Sequence, residues 1–259
     1  MDNRKTLIYT VADNNNLKWA ENLGNSLRKF HTKKEVDFHI VSGEELNKYL
    51  KDDPMFYYRQ KPILAKKYLE DYDLVIGFDA DSIVTGNLYY LLNMPYDVAT
   101  VYNWNRVDPP IYGEIGLATI QPQEYFNCGL VAMRNKKFIK EWLRLCYGPH
   151  FDRMPYREQG FLNILAHYGD YDVLRLDDYN RITNESSWWG LRSKGEWNKI
   201  ELKDNKLILP QAPNNYPEMN KEIKVIHWGG GADPKKMNYR IFFNEEVIKH
   251  LDYLISDER

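Results

Sequence analysis

Cysteine is scarce in this chain, long apolar runs are missing, and neither sign of charge dominates. Its two cysteines, Cys128 and Cys146, stand among 259 residues. Two thiols build no disulfide framework and suit a reducing compartment. No window approaches the roughly 18 apolar residues of a membrane span. The apolar run Leu7–Ala12 near the N-terminus is too short for the core of a secretion signal. The expectation is a soluble, cytoplasmic protein without an integral membrane segment. Lys and Arg number 35 against 37 Asp and Glu. Without a basic surplus, nucleic acid is not an expected partner, and a polyanionic substrate needs a local cluster of Lys or Arg. The one glycine run, Gly229-Gly230-Gly231, is neither a GxGxxG nor a Walker P-loop and gives no independent cofactor assignment.

What is there fits an ordinary folded chain: 43% hydrophobic and 28% charged residues. At this length one domain over 1–259 is expected. Aromatics reach 14%, with 20 Tyr and 7 Trp. Flat rings stack on the C–H faces of sugars, and they also fill cores, so composition alone leaves both readings open.

Periodicity predicts alternating strands and helices. Thr6–Ala12 reads as a buried strand that ends in Asp13-Asn14-Asn15-Asn16, residues that cap helices. Leu17, Leu23, Leu27 and Phe30 follow at helical spacing. Val36–Val41 is a second strand, with a short helix through Leu46 and Leu50. The 57–72 stretch reads as a basic helix, Leu74–Phe78 as a third strand, 87–93 as a short helix and 96–102 as a strand. Phe126–Met133 is a further strand. Helices are predicted over 136–147, 158–168 and 244–255, and short strands over 172–176, 207–209 and 225–227. This order predicts an α/β fold with a mainly parallel central sheet flanked by helices. The irregular stretch Asn103–Gln123 is long enough to be a lid.

Four features carry chemistry. Asp79-Ala80-Asp81 follows the third strand directly, at the sheet edge where open α/β folds bind ligands. Two carboxylates there can hold a hard divalent cation, which grips diphosphate oxygens. His227 ends the apolar run 223–226 and precedes Trp228-Gly229-Gly230-Gly231, so an imidazole and bare backbone arrive together. Asn127, a polar amide inside an apolar strand, needs a partner. Glu158-Gln159 opens a helix with two side chains able to accept hydrogen bonds from sugar hydroxyls. Each also has a plain reading: a surface turn, a packed histidine, a satisfied amide, a polar helix start.

Taken in this order, the four resemble the retaining glycosyltransferases of the GT-A fold, typified by glycogenin and the lipopolysaccharide galactosyl- and glucosyltransferases. The resemblance runs from Thr6 to about Lys236. It implies that Asp79, Asp81 and His227 bind Mn2+ (or Mg2+) and that the donor is a UDP-sugar. It implies that Thr10, Ala12 and Asp13 meet the uridine. Ala80 lies between the metal ligands. Lys61 or Lys66, with Arg59 as a third candidate, sits near the donor, and Gly230 approaches the diphosphate. Asn127, Glu158 and Gln159 line the sugar site. Two departures stand out. Glu158-Gln159 replaces the family's Asp-Gln, and Asp233 stands where a lysine usually follows the histidine motif, with Lys235 or Lys236 as the nearest substitutes.

The implied reaction transfers a sugar from a nucleoside diphosphate donor to a glycan or other hydroxyl acceptor, with retention. An inverting relative of the same fold needs a carboxylate base, for which Glu158 or Asp178 is available. Trp188-Trp189 and Trp197 fit either an acceptor platform or a packed cluster. Two other classes share part of the pattern. A metal-dependent nucleotidyltransferase would carry a Gly-rich basic loop where Asp13–Asn16 stands. A non-catalytic carbohydrate-binding protein would not need Asp79, Asp81 and His227 together.

Overall fold

The structure, a computed structural model, describes residues 5–102, 120, 124–154, 156–176, 200–209, 221–227, 240 and 243–257. In chain order its main elements are β1 (Thr6–Val11), α1 (Leu17–Phe30), β2 (Asp37–Val41), α2 (Gly43–Asp52), α3 (Gln60–Tyr68), β3 (Leu74–Phe78), β4 (Ser82–Val84), α4 (Tyr89–Asn93) and β5 (Val98–Tyr102). Then follow β6 (Phe126–Met133), α5 (Lys136–Cys146), α6 (Glu158–Tyr168), β7 (Val173–Arg175), β8 (Glu201–Lys203), β9 (Lys206–Leu209), β10 (Lys221–Glu222), β11 (Val225–His227) and α7 (Glu245–Ile255).

Six strands form the central sheet in the order β2-β1-β3-β6-β5-β7. The pairs β1–β2, β1–β3 and β5–β7 are parallel, while β6 runs antiparallel to both β3 and β5. The expected mainly parallel α/β sheet is present, with one reversed strand at its centre. Strand alternation distributes side chains to the two faces. Tyr9, Val75, Val131 and Met133 face a core shared with Leu64, Phe138, Trp142 and Leu162 from α3, α5 and α6. Ile8, Ile76, Phe78 and Ala132 face the opposite core, shared with Leu23 and Leu27 from α1 and Leu91 from α4.

β11 and β4 form a separate two-stranded unit. Val84 and Val225 join the α1 core, whereas Ile83 and Ile226 join a third cluster with Val247 and Leu251 of α7. The unit is therefore clamped on both faces, which fixes the end of β11 against the start of β4.

Two local expectations change. The 57–72 stretch is not one helix: a 3-10 turn, Phe56–Tyr58, precedes α3. Asn16 occupies the N-cap of α1 without a side-chain cap hydrogen bond. Asp13 organises that loop instead, its Oδ1 accepting from the backbone N–H groups of Asn15 (2.9 Å) and Asn16 (3.1 Å). The β8–β9 hairpin turns at Asp204-Asn205, both at positive φ (50° and 58°). Asp and Asn tolerate that conformation, which the twist of a two-residue hairpin requires. Most of 103–123, together with Asp178, Trp188, Trp189, Trp197, Gly230, Asp233, Lys235 and Lys236, lies outside the described residues.

Candidate functional site

Asp79 leaves the end of β3 and Asp81 enters β4, with Ala80 on the bend between them. The backbone N–H of Asp79 donates to the carbonyl of Gly129 at 2.8 Å, tying the turn to β6. His227 comes from the far end of the chain. Pairing of β11 with β4 sets it opposite Ser82. Its Nε2 lies 3.1 Å from Asp81 Oδ1 and 3.6 Å from Asp79 Oδ2. One donor atom from each of the three falls within 4.8 Å of the others.

These spacings suit one cation. In an octahedral site with bonds of about 2.1 Å, cis ligands stand about 3 Å apart and trans ligands about 4.2 Å. Carboxylate oxygens suit hard divalent ions and imidazole suits first-row transition metals, so the mixed donor set is compatible with a divalent metal ion. The imidazole is 3% exposed, so it is held in place rather than swinging from the surface.

Gly129 explains how the histidine fits. A Cβ built there would collide with the His227 ring and lie 2.7 Å from Asn127 Oδ1. Glycine inside a strand marks such a close approach. Asn127 Oδ1 accepts the Gly129 N–H, and its Nδ2 donates to Gln159 Oε1 at 3.3 Å. The Cys128 N–H donates to the same Gln159 oxygen at 3.1 Å. Asn163, one turn further along α6, donates to the Gln159 carbonyl (2.8 Å) and exchanges two hydrogen bonds with the Phe126 backbone (2.7 and 2.9 Å). Trp142 Nε1 donates to the Glu158 carbonyl at 2.8 Å. The first turn of α6 is thus bolted to β6 and α5, and the Glu158-Gln159 pair is held beside Asp79.

A cavity of about 490 Å³ opens here, lined by Lys61, Asp79, Asn127, Glu158 and Gln159, with Tyr58, Tyr156 and Arg157 at its wall. The Lys61 ammonium, 4% exposed, is ion-paired with Asp79 Oδ1. Burial works against its charge, but Asp79, together with Cys128 and Glu158, more than offsets this, and the Lys61 pKa is raised. The Tyr9 hydroxyl donates to the Lys61 carbonyl at 3.1 Å and so fixes the start of α3. Burial pushes the Glu158 carboxyl up to about 8, against the opposing pull of Lys61. At neutral pH Glu158 is therefore largely protonated and uncharged.

The other expected residues divide. Thr10 is buried in β1, its hydroxyl without a hydrogen-bond partner among the described residues. Register pairs Thr10 with Phe78, so Thr10, Ala12 and Asp13 occupy the same sheet edge as Asp79. Lys66 is exposed on α3 and is not part of the cavity wall. Arg59 is taken up elsewhere: its guanidinium forks onto Asp53 (2.9 and 3.1 Å) and donates to the Cys146 carbonyl. Of the three basic candidates only Lys61 reaches the site. Register explains the split: on α3 Lys61 points with Leu64 and Ala65 into the protein, whereas Lys66 points out.

Arg157, Tyr156, Tyr58 and Gly129 did not emerge from the sequence. Only Gly129 left a signal, a glycine in an otherwise apolar strand. Tyr156 and Arg157 both adopt positive φ (58° and 48°) without being glycine. Such conformations cost on the order of 1–3 kcal/mol each and cluster at functional sites.

No protein-family model and no curated protein matches the chain in sequence. Solved structures do match in fold. LgtC, a galactosyltransferase crystallised with donor and acceptor sugar analogues, is 17% identical over 98% of each chain, with a TM-score of 0.56. WbbM, a bifunctional glycosyltransferase, is 14% identical over 99% of this chain, with a TM-score of 0.58, and this chain spans 50% of its length. GlyE of Streptococcus pneumoniae is 16% identical over 98% of this chain and 62% of its own, with a TM-score of 0.55. The chain has the α/β fold of these GT-A glycosyltransferases, with the Asp79–Asp81–His227 group beyond the C-terminal end of β3.

Proposed function

We propose that the chain is a metal-dependent glycosyltransferase that moves a sugar from a UDP-sugar to an acceptor hydroxyl with retention. The observation that carries this reading is the convergence of Asp79, Asp81 and His227 within 4.8 Å beside a cavity, in a chain with a glycosyltransferase fold. Those three residues would hold Mn2+ or Mg2+. When bound, such an ion accepts the charge that grows on a diphosphate leaving group.

The chain's own groups supply the rest. Lys61 adds a fixed positive charge beside Asp79. Thr10, Ala12 and Asp13, at the C-terminal end of β1, would meet the uridine. Gln159, whose Oε1 is held by Asn127 and Cys128, offers its NH2 group to a sugar hydroxyl. Glu158 is mostly protonated near neutral pH, which makes it a poor nucleophile. With a neutral amide and a protonated carboxyl beside the sugar, same-face attack by the acceptor hydroxyl is the favoured route. Gly230 and Lys235, from the segment after His227, complete the proposed donor site.

The inverting alternative has one observation in its favour: a carboxyl titrating near 8 is suited to act as a general base at mildly alkaline pH. The anomeric configuration of the product separates the two. The primary test is a screen of UDP- and GDP-sugars with and without Mn2+, reading slow donor hydrolysis. Mn2+-dependent hydrolysis of a UDP-sugar is the expected result. No hydrolysis and no metal-dependent UDP binding would reject the reading.

A further inference from the structure

Beside the site, aromatic rings and guanidinium groups alternate in one stack. Arg59 lies 4.6 Å from the Tyr147 ring centre and 4.2 Å from that of Phe151. Arg157 lies 5.8 Å from the Phe151 ring centre and 3.7 Å from that of Tyr58. The two arginines have the same aromatic setting but different ionic ones. Arg59 has an internal counter-ion, the forked Asp53 carboxylate, with Tyr147 hydroxyl on the same group. Arg157 has no described carboxylate within salt-bridge range, and its one side-chain hydrogen bond is a 4.0 Å contact to Met55 sulfur.

Arg157 also lines the cavity, on the residue before Glu158. The flanking rings of Tyr58 and Tyr156 are 49% and 47% exposed. A guanidinium stacked flat on an aromatic ring keeps its N–H edge for a planar or tetrahedral anion. Exposed tyrosine faces beside it suit the C–H face of a sugar. The left-handed backbone at Tyr156 and Arg157 holds both side chains at this wall. The donor diphosphate already has Lys61 and the proposed cation, so Arg157 is surplus to it.

We infer that Arg157, stacked on Tyr58 at the cavity wall, recognises an anionic group, a carboxylate or a phosphate, carried by the acceptor glycan. This rests on the glycosyltransferase reading for the word acceptor, but not for the binding itself.

The test uses three probes, glucuronate, glucose 6-phosphate and glucose, titrated into the full chain with and without Mn2+ and UDP. At least one acidic probe is expected to bind roughly tenfold more tightly than glucose, the size of one charge-assisted contact. Arg157→Gln should remove that preference, and Arg157→Lys should keep part of it. A control, Lys249→Gln on the distant α7, should leave it intact. Which acid is preferred distinguishes carboxylate from phosphate. Equal affinity for all three probes overturns the inference, as does a preference that survives Arg157→Gln or is lost equally in Lys249→Gln. So does an Arg157→Gln variant that loses UDP affinity rather than acid preference. UDP binding with Mn2+, read on the same samples, reports separately on the donor reading.

Discussion

The Nε2 atom of His227 stands 3.1 Å from a carboxylate oxygen of Asp81, because β11 pairs with β4 in antiparallel register. That contact makes a metal-binding prediction with a readout independent of turnover. Mn2+ at about 100 times its Kd should stabilise the folded chain by about 2.7 kcal/mol. His227→Ala should abolish most of this gain while the chain still folds, since the ring sits at a strand end. Thermal unfolding with and without Mn2+ measures it; an equal Mn2+ shift in the variant would reject the assignment.

Gly129 is predicted to be intolerant of any side chain. In Gly129→Ala the new methyl meets the His227 ring, so the imidazole must leave its place beside Asp81. Overpacking of this kind costs about 1–3 kcal/mol. The expected outcome is a lower Tm together with weaker Mn2+ binding by titration. Unchanged values of both would show that the backbone yields without moving His227.

Glu158 makes the stability of the chain depend on pH. Its carboxyl rises from 4.5 to about 8 on folding, chiefly through burial. Between those values the folded chain holds a proton that the unfolded chain has released, so stability falls as pH rises through the window. Glu158→Gln cannot ionise and escapes this loss. Allowing for partial exposure to the cavity, the wild type should lose on the order of 1–2 kcal/mol relative to the variant between pH 5 and pH 8.5. Urea unfolding without metal at the two pH values tests this, and parallel profiles would refute it.

Asn163 is predicted to couple stability to activity from outside the cavity. Asn163→Ala removes two buried hydrogen bonds to the Phe126 backbone and one to the Gln159 carbonyl. The loss should be roughly 2–4 kcal/mol, and donor hydrolysis should fall with it as Gln159 drifts from Asn127. Asn163→Ala with wild-type stability would mean that water replaces the amide.

Strong local patterns were readable before any coordinates. Leu74–Phe78 is apolar, branched and short, and it forms β3; the Asp79-Ala80-Asp81 turn follows where expected. Lys61, Lys66 and Arg59 show where reading stopped. All three are basic and lie on α3 or just before it, and nothing local tells them apart. Helix phase turns Lys66 outward, Asp53 captures Arg59, and Asp79 captures Lys61. The β8 strand is not legible in the sequence, because Glu201–Lys203 has one apolar residue and its hairpin is announced only by Asp204-Asn205.

Sequence alone determined the order of the main strands and helices, the carboxylate pair at a strand end and the histidine before the glycines, because these follow from short-range apolar periodicity and residue chemistry. Tertiary structure decided which distant groups meet. The antiparallel reversal of β6 brings Gly129 against His227, the pairing of β11 with β4 carries that histidine to Asp81, and the stacking of Arg157 on Tyr58 holds a cation at the cavity wall. Such meetings depend on register and packing between segments far apart in the chain, and no local window of residues contains that information.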